Sequence, residues 1–272
     1  MTTLTDTLRL AEFTADHLPG AVRLSQQAQW PHRTQDWALT LSQSQGVVAI
    51  ENDQVVGTAL ASLFGDVATL NMIIVDEALR GRKLGRKLMN AVIQIAGTCE
   101  MRLIATADGL PLYEKLGFKA IGEIQQFQGD AQAVAPEIPV EIGECDLDRL
   151  IEMDHAASGL ERGDLLARIA SVGTVFHCES GFAILRAFGR GQVLGPIVAA
   201  DDRSARSLLA AAASHAMGGF LRIDTPSPEL GEFVKTLGMA HVGGGTCMVL
   251  NPLSKAPDTK IRTFGLISQA LG

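Results

Sequence analysis

Residues 75–87 read VDEALRGRKLGRK. A β-branched run ends at Val75, a basic loop with a glycine follows, and from Leu84 the apolar residues take helical spacing. Leu84, Leu88, Val92 and Ile95 stand at i, i+4, i+8 and i+11, on one face of a helix that Gly97 ends. Five of the eight residues from Arg80 to Lys87 are basic, although the chain carries a formal charge of −7. Cations at the positive end of a helix dipole are locally unfavourable, which suggests a purpose beyond solubility. The helix start offers unpaired N–H groups, and Gly81 and Gly85 let an anion come close to the backbone. The stretch reads as a phosphate cradle suited to a diphosphate. A solvated basic face and a nucleic-acid patch are the alternatives, and the acidic balance argues against the second. The dinucleotide-binding GxGxxG spacing is absent.

Upstream, a strand is expected over 5–11, helices over 14–27 and 34–41, and a hairpin turning through Asn52 and Asp53. A strand over 67–75 then enters the basic loop. Downstream, a strand over 102–106 precedes a short helix opened by Pro111 and closed by Gly117, and a strand runs over 118–127. Residues 129–139, with two prolines, read as a linker. The second half repeats the order. Helices are expected over 146–156 and 162–171, a hairpin over 174–178 and 182–188, and a strand over 193–199. A helix over 204–217, a strand over 220–224, a helix over 228–237 and a strand over 239–250 follow. After Pro257, the apolar Ile261, Phe264 and Ile267 suggest a short packed helix. The segment 114–118, EKLGF, matches 235–239, KTLGM, so the chain reads as two copies of one mixed α/β unit.

With 272 residues, 47% of them hydrophobic, the chain can bury a substantial core, and its length suits two domains. Its four cysteines form no CxxC pair and no zinc spacing with histidine, so neither a disulfide scaffold nor a metal site is expected. No signal peptide and no transmembrane run is read, which makes the cytoplasm the default location.

The segment Arg80–Gly85 resembles the Arg/Gln-x-x-Gly-x-Gly/Ala signature of the GCN5-related N-acetyltransferase (GNAT) family, with Lys83 where the first glycine usually stands. Residues 105–118, ATADGLPLYEKLGF, resemble the family's second signature. The second half resembles a degenerate copy. The resemblance implies an α/β fold (an α+β mixed sheet) made of two tandem GNAT-like domains, each a central, mostly antiparallel sheet flanked by helices. It places an acetyl-CoA-binding domain over 1–128, the linker over 129–139 and a degenerate domain over 140–272.

The implied cosubstrate is acetyl-CoA, with no metal. Its pyrophosphate would rest on the backbone of Gly81, Arg82, Lys83, Leu84, Gly85 and Arg86, and Arg80 or Lys87 could meet the 3′-phosphate. Its pantetheine arm would pair with Ile73, Ile74 and Val75, between strands that the family splays apart. Tyr113, the chain's one tyrosine, would protonate the departing thiolate. Reference pKa values of about 10 for phenol and about 8.5 for thiol permit that role. Backbone N–H groups near Val75 could stabilise the oxyanion. For the base, Asp76, Glu77 and a water chain stay open. Trp30 and His32 lie where the family shapes its acceptor pocket, with aromatic packing at a helix end the equal alternative, and core or surface roles are expected for Asp154, His155 and Arg162. The second half carries Asp201 and Asp202 where phosphates would lie and Val234 where a tyrosine would stand, so it is expected not to catalyse but to close the acceptor pocket or to stabilise the first half by packing.

The expected activity is direct acetyl transfer to a primary amine of a small molecule or peptide, by a monomer or homodimer, with no nucleic-acid or membrane partner. A non-catalytic acyl-CoA sensor or scaffold is the alternative.

Overall fold

The structure is a computed structural model that describes residues 8–253 and 260–272. Its first half runs β1 (Arg9–Glu12), α1 (Leu18–Gln27), α2 (Thr34–Leu41), β2 (Ser44–Glu51), β3 (Gln54–Phe64), β4 (Val67–Val75), α3 (Leu84–Ala96), β5 (Glu100–Ala105), α4 (Leu110–Lys115) and β6 (Lys119–Asp130). The second half runs β7 (Glu141–Ile142), α5 (Leu147–Ser158), α6 (Gly163–Val172), β8 (Thr174–Cys178), β9 (Gly181–Phe188), β10 (Gly191–Ala199), α7 (Asp202–His215), β11 (Phe220–Thr225), α8 (Pro228–Thr236), β12 (Ala240–Leu250) and β13 (Arg262–Gly265). Asn52 and Asp53 both take positive φ, 50° and 60°, as the tight β2–β3 turn requires.

The described strands form one mixed sheet in the order β1-β2-β3-β4-β5-β12-β6-β11-β10-β9-β8-β7, with β13 on β10. The halves therefore interlock. β12 pairs with β5 and β6 of the first half, and β6 pairs with β11 of the second.

Helices cover both faces, and the strands sort their side chains accordingly. On β9, Ala183 and Leu185 join the core under α7, whereas Phe182 and Ile184 join the core under α5 and α6. In the first half, Leu84, Leu88, Met89 and Val92 of α3 pack on one face. Leu24 of α1 and Trp37 of α2 pack on the other, against Val48, Leu60 and Met72. Each such fully buried side chain contributes about 1.5–3 kcal/mol. Trp37 also donates its indole N–H to Ser25 Oγ at 2.7 Å, so its own polar atom is satisfied.

Two expectations need correction. Pro257 lies outside the described residues, but the segment after it is strand β13 and not a helix. β10 pairs with β11 only at Gln192↔Leu221 and Val193↔Arg222 and then parts from it. The open ladder is taken up by β13, at Ile197↔Gly265, Val198↔Thr263 and Ala199↔Arg262. The two-residue strand β7, which pairs with β8, was not expected from the sequence. Of the strand expected over 5–11, residues 5–7 lie outside the described part, and β1 occupies Arg9–Glu12.

Candidate functional site

The site begins where β4 and β5 separate. These parallel strands pair only at Val67↔Glu100, Ala68↔Met101 and Thr69↔Arg102. Beyond that, β4 keeps its ladder to β3, at Asn71↔Leu60, Ile74↔Thr58 and Val75↔Gly57, and β5 keeps its ladder to β12. An irregularity interrupts the β3–β4 ladder between Thr58 and Leu60, next to Met72, whose φ is 50°. Thr58 donates its hydroxyl to the Met72 carbonyl at 2.7 Å and holds the kink. The edge of Ile73, Ile74 and Val75 that faces β5 is thereby left free for an extended ligand.

At the end of β4, Asp76 caps a short turn by accepting from the Ala78 N–H and pairs with Arg23 at 3.2 Å. The chain then reaches α3. Its N-cap residue, Lys83, lies in the left-handed region (φ 61°, ψ 16°) and supplies no capping side chain. The Lys87 N–H makes the first bond back to the Lys83 carbonyl. The N–H groups of residues 83–86 thus point out of the helix end, at the positive pole of its dipole. Gly85 sits close to Leu112, which a Cβ would approach to 3.3 Å.

The free edge and the bare helix end share one groove of about 1090 Å³, lined by Ile73, Ile74, Val75, Arg80, Gly81, Lys83, Leu84, Gly85, Arg86 and Tyr113. Of the residues singled out in the sequence, Arg82 does not line it, because its side chain turns to Glu51 at 3.1 Å. Arg80 has Glu77 and Asp108 only at 3.8 Å, both exposed, so these pairs hold it weakly. Asp76 is committed to Arg23 and the turn, and Glu77 is exposed beside the groove.

Past Tyr113 the groove meets a second chamber of about 340 Å³. Trp30, Ile73, Thr106 and Tyr113 line both. The chamber takes His32 from the first half, Gln126 and Gln128 from β6, and Phe188, Arg190, Arg222 and Gln269 from the second half. Tyr113 is 7% exposed, and burial pushes its phenol up to about 12, so it is protonated at neutral pH. His32 is packed by Trp30, Trp37 and Phe188. Burial, helped by the nearby Arg222 charge, takes it down to about 4, so it is neutral. That the second half closes the acceptor pocket was one of two tasks read from the sequence; the residues by which it lines the chamber were missed. Their one signal was the charged pair Arg222 and Asp224 alternating with Leu221 and Ile223 along β11, which places them on the face opposite the α7 core.

The equivalent positions of the second half are filled by the chain itself. The N-terminus of α7 is capped by Asp201, whose carboxylate accepts from the Ser204 N–H at 2.8 Å, and that bond holds its pKa down. β13 lies in the gap between β10 and β11. Beside it, a side chain at position 195 would overlap the Leu266 carbonyl. Asp154 and Arg162 form a buried pair at 2.8 Å, and Arg162 also donates to the carbonyls of Leu271 and Gly272. Their role is thus to fasten the last turn of the chain.

Two acetyltransferase (GNAT) domain families match the chain, one over residues 17–131 and the other over 150–265. The chain is 29% identical to YitH of Bacillus subtilis, called an uncharacterized N-acetyltransferase, across 94% of this chain and 96% of that protein. The fold is similar to an inferred acetyltransferase from Pyrococcus horikoshii, with a TM-score of 0.86 at 19% identity over 100% of this chain and 98% of that one. It is also similar to a tandem GNAT protein from the clavulanic acid biosynthesis pathway, with a TM-score of 0.63 at 12% identity over 91% of this chain and 100% of the other. No described helix is long and apolar enough to cross a membrane.

Proposed function

Because the chain carries two GNAT acetyltransferase domains in tandem, we propose that it transfers an acetyl group from acetyl-CoA to a primary amine, and that its first domain does the chemistry. The observation that carries this is the single groove joining an uncapped helix N-terminus, a free strand edge and Tyr113. The N–H groups of residues 83–86 hold the pyrophosphate, with Arg80 or Lys87 toward the 3′-phosphate. The pantetheine arm lies along Ile73, Ile74 and Val75 as an added strand. The thioester then comes to the mouth of the chamber, where Tyr113 stands.

The neutral amine attacks the thioester carbonyl from the chamber. Backbone N–H groups near Val75 stabilise the developing oxyanion, and Tyr113 passes its proton to the CoA sulfur as the C–S bond breaks. No carboxylate lines the chamber among the described residues, so the amine sheds its proton through water. The second domain, with Asp201 in its anion site and β13 in its strand gap, serves as the far wall of the acceptor chamber. We take the domains as 1–128 and 140–272 with the linker 129–139, and place the protein in the cytoplasm, a reducing setting that suits its four free thiols.

Calorimetry with acetyl-CoA tests the assignment. One molecule binds per chain, and Gly85→Glu, which puts bulk and negative charge in the cradle, abolishes binding. Release of CoA thiol with a panel of amines follows the transfer. Two bound molecules per chain, or normal affinity in Gly85→Glu, would overturn the site. Binding without thiol release from any amine would leave an acyl-CoA sensor.

A further inference from the structure

The charge in the acceptor chamber is unusual for this chain. The protein has 30 acidic residues against 23 basic ones, yet among the described residues the chamber lining holds no carboxylate. The lining's formal cations are Arg190 and Arg222. A third guanidinium lies just behind. β9, β10 and β11 place Arg186, Val193 and Arg222 in one register row, and the side chains of such a row project to the same face of the sheet. The guanidinium groups of Arg186 and Arg222 both lie over the ring of Phe188, at 5.3 and 5.2 Å.

These charges are not balanced within the protein. Arg222 is held by Asp224 through two hydrogen bonds, of 2.7 and 3.1 Å, so one carboxylate offsets one of the three. Arg186 is 4% exposed, has no carboxylate in ion-pair range among the described residues, and donates to the Ile267 carbonyl while its Nε has no partner. Asp36 acts on it electrostatically, but that carboxylate accepts from Arg33 and from the Gly189 N–H. Arg190 lies over the Phe220 ring at 5.9 Å and has no carboxylate in ion-pair range among the described residues. A buried cation without a counter-ion is costly, and a polar pocket at positive potential favours an anionic guest. A polyamine or other cationic acceptor would find no countercharge in this chamber.

We propose that the acceptor is a small zwitterion, an amine bearing a carboxylate close to it in the manner of an amino acid. Arg190 and Arg222 hold the carboxylate, and the charge of Arg186 behind them adds to the positive potential. The proposal rests on the acetyl-transfer reading, since it assigns the amine's neighbour in the same chamber. At about 340 Å³ the chamber suits a small molecule better than a peptide segment.

Matched pairs test it. Full-length protein with saturating acetyl-CoA is given amino acids and the amines formed from them by decarboxylation, and thiol release is followed. At least one amino acid shows kcat/KM about tenfold or more above its decarboxylated partner, as expected for a charge-assisted pair. Arg190→Gln, an exposed position that leaves the fold intact, shrinks that preference by about tenfold through KM. Equal or better turnover of the decarboxylated amines, or an unchanged preference in Arg190→Gln, overturns the proposal.

A binding arm separates its failure from that of acetyl transfer. Calorimetry on the CoA-saturated protein shows heat with the amino acid and none with its amine, even if no thiol is released with any acceptor. Such a result would sink the transfer reading and keep the zwitterion site. Turnover of simple amines without amino-acid binding would do the reverse.

Discussion

Tyr113 and His32 face one chamber, and burial leaves both neutral at pH 7 by moving their pKa values in opposite directions. For Tyr113 this secures the protonated form that its proposed role, protonating a leaving thiolate, requires. Tyr113→Phe keeps the ring packing on Phe118 and removes only the acidic hydrogen. The expected result is acetyl-CoA binding within a factor of about two of wild type and kcat reduced by about 10²-fold. Stopped-flow thiol release under chemistry-limited conditions measures this, and an unchanged rate removes Tyr113 from the mechanism. For His32 the consequence is a dependence of stability on pH. Its folded pKa of about 4 lies below the ordinary histidine value of 6.5, so between these the unfolded chain takes up a proton that the folded one refuses. Stability contributed by neutral His32 is therefore full above pH 6.5 and falls as the pH drops toward 4, by about 3 kcal/mol over that window. His32→Gln removes this component. Urea denaturation at pH 7 and pH 4 should show a smaller acid loss in the variant, and an identical loss would refute the buried, neutral assignment.

At the scale of the element, the start of α3 shapes the proposed anion site. Lys83 adopts a left-handed conformation that glycine accepts without strain, and it adds a cation to the positive end of the dipole. Lys83→Gly is therefore expected to stabilise the protein by about 0.5–1 kcal/mol, the relief of strain exceeding the added freedom of the unfolded chain. Lys83→Ala removes the same charge but keeps the strain, and should gain only a few tenths. Chemical denaturation of both variants separates these effects, and equal stabilities would show that charge and not backbone sets the cost. The β4–loop–α3 segment was legible in the sequence because each part carries its own local signal: a β-branched run, turn glycines and a helical period. β13 was not. Ile261, Phe264 and Ile267 are spaced as on a helix, and what makes the segment a strand is the ladder that β10 leaves open, supplied from more than sixty residues away. The polar floor of the chamber was hidden for the same reason. Gln126, Gln128 and Arg222 are ordinary in their own strands and become a site only where β6 lies against β11.

At the scale of the molecule, the interlocked strands make the two domains one folding problem. Met248 of β12 is buried in the core of the first half, whereas Phe127 of β6 is buried in the core of the second. Each half thus completes the other's core, at about 1.5–3 kcal/mol for each large apolar side chain placed. A first half cut after Ala133 would expose the β5 edge that β12 covers through Met101↔Leu250 to Ala105↔Thr246, and both edges of β6. Unpaired, apolar edges of that length favour aggregation or exchange between copies. Expressed alone, residues 1–133 and 134–272 should each be insoluble or self-associated. Expressed together, they should form a one-to-one complex that binds one acetyl-CoA and releases thiol, since the cut falls outside every helix and strand. Size-exclusion chromatography with light scattering and the thiol assay read both outcomes. A soluble, monomeric first half with full activity would show that the second domain is dispensable to the fold and to the chamber. Neither core completion nor the chamber wall would then explain why the chain keeps a domain whose own anion site and strand gap are already filled.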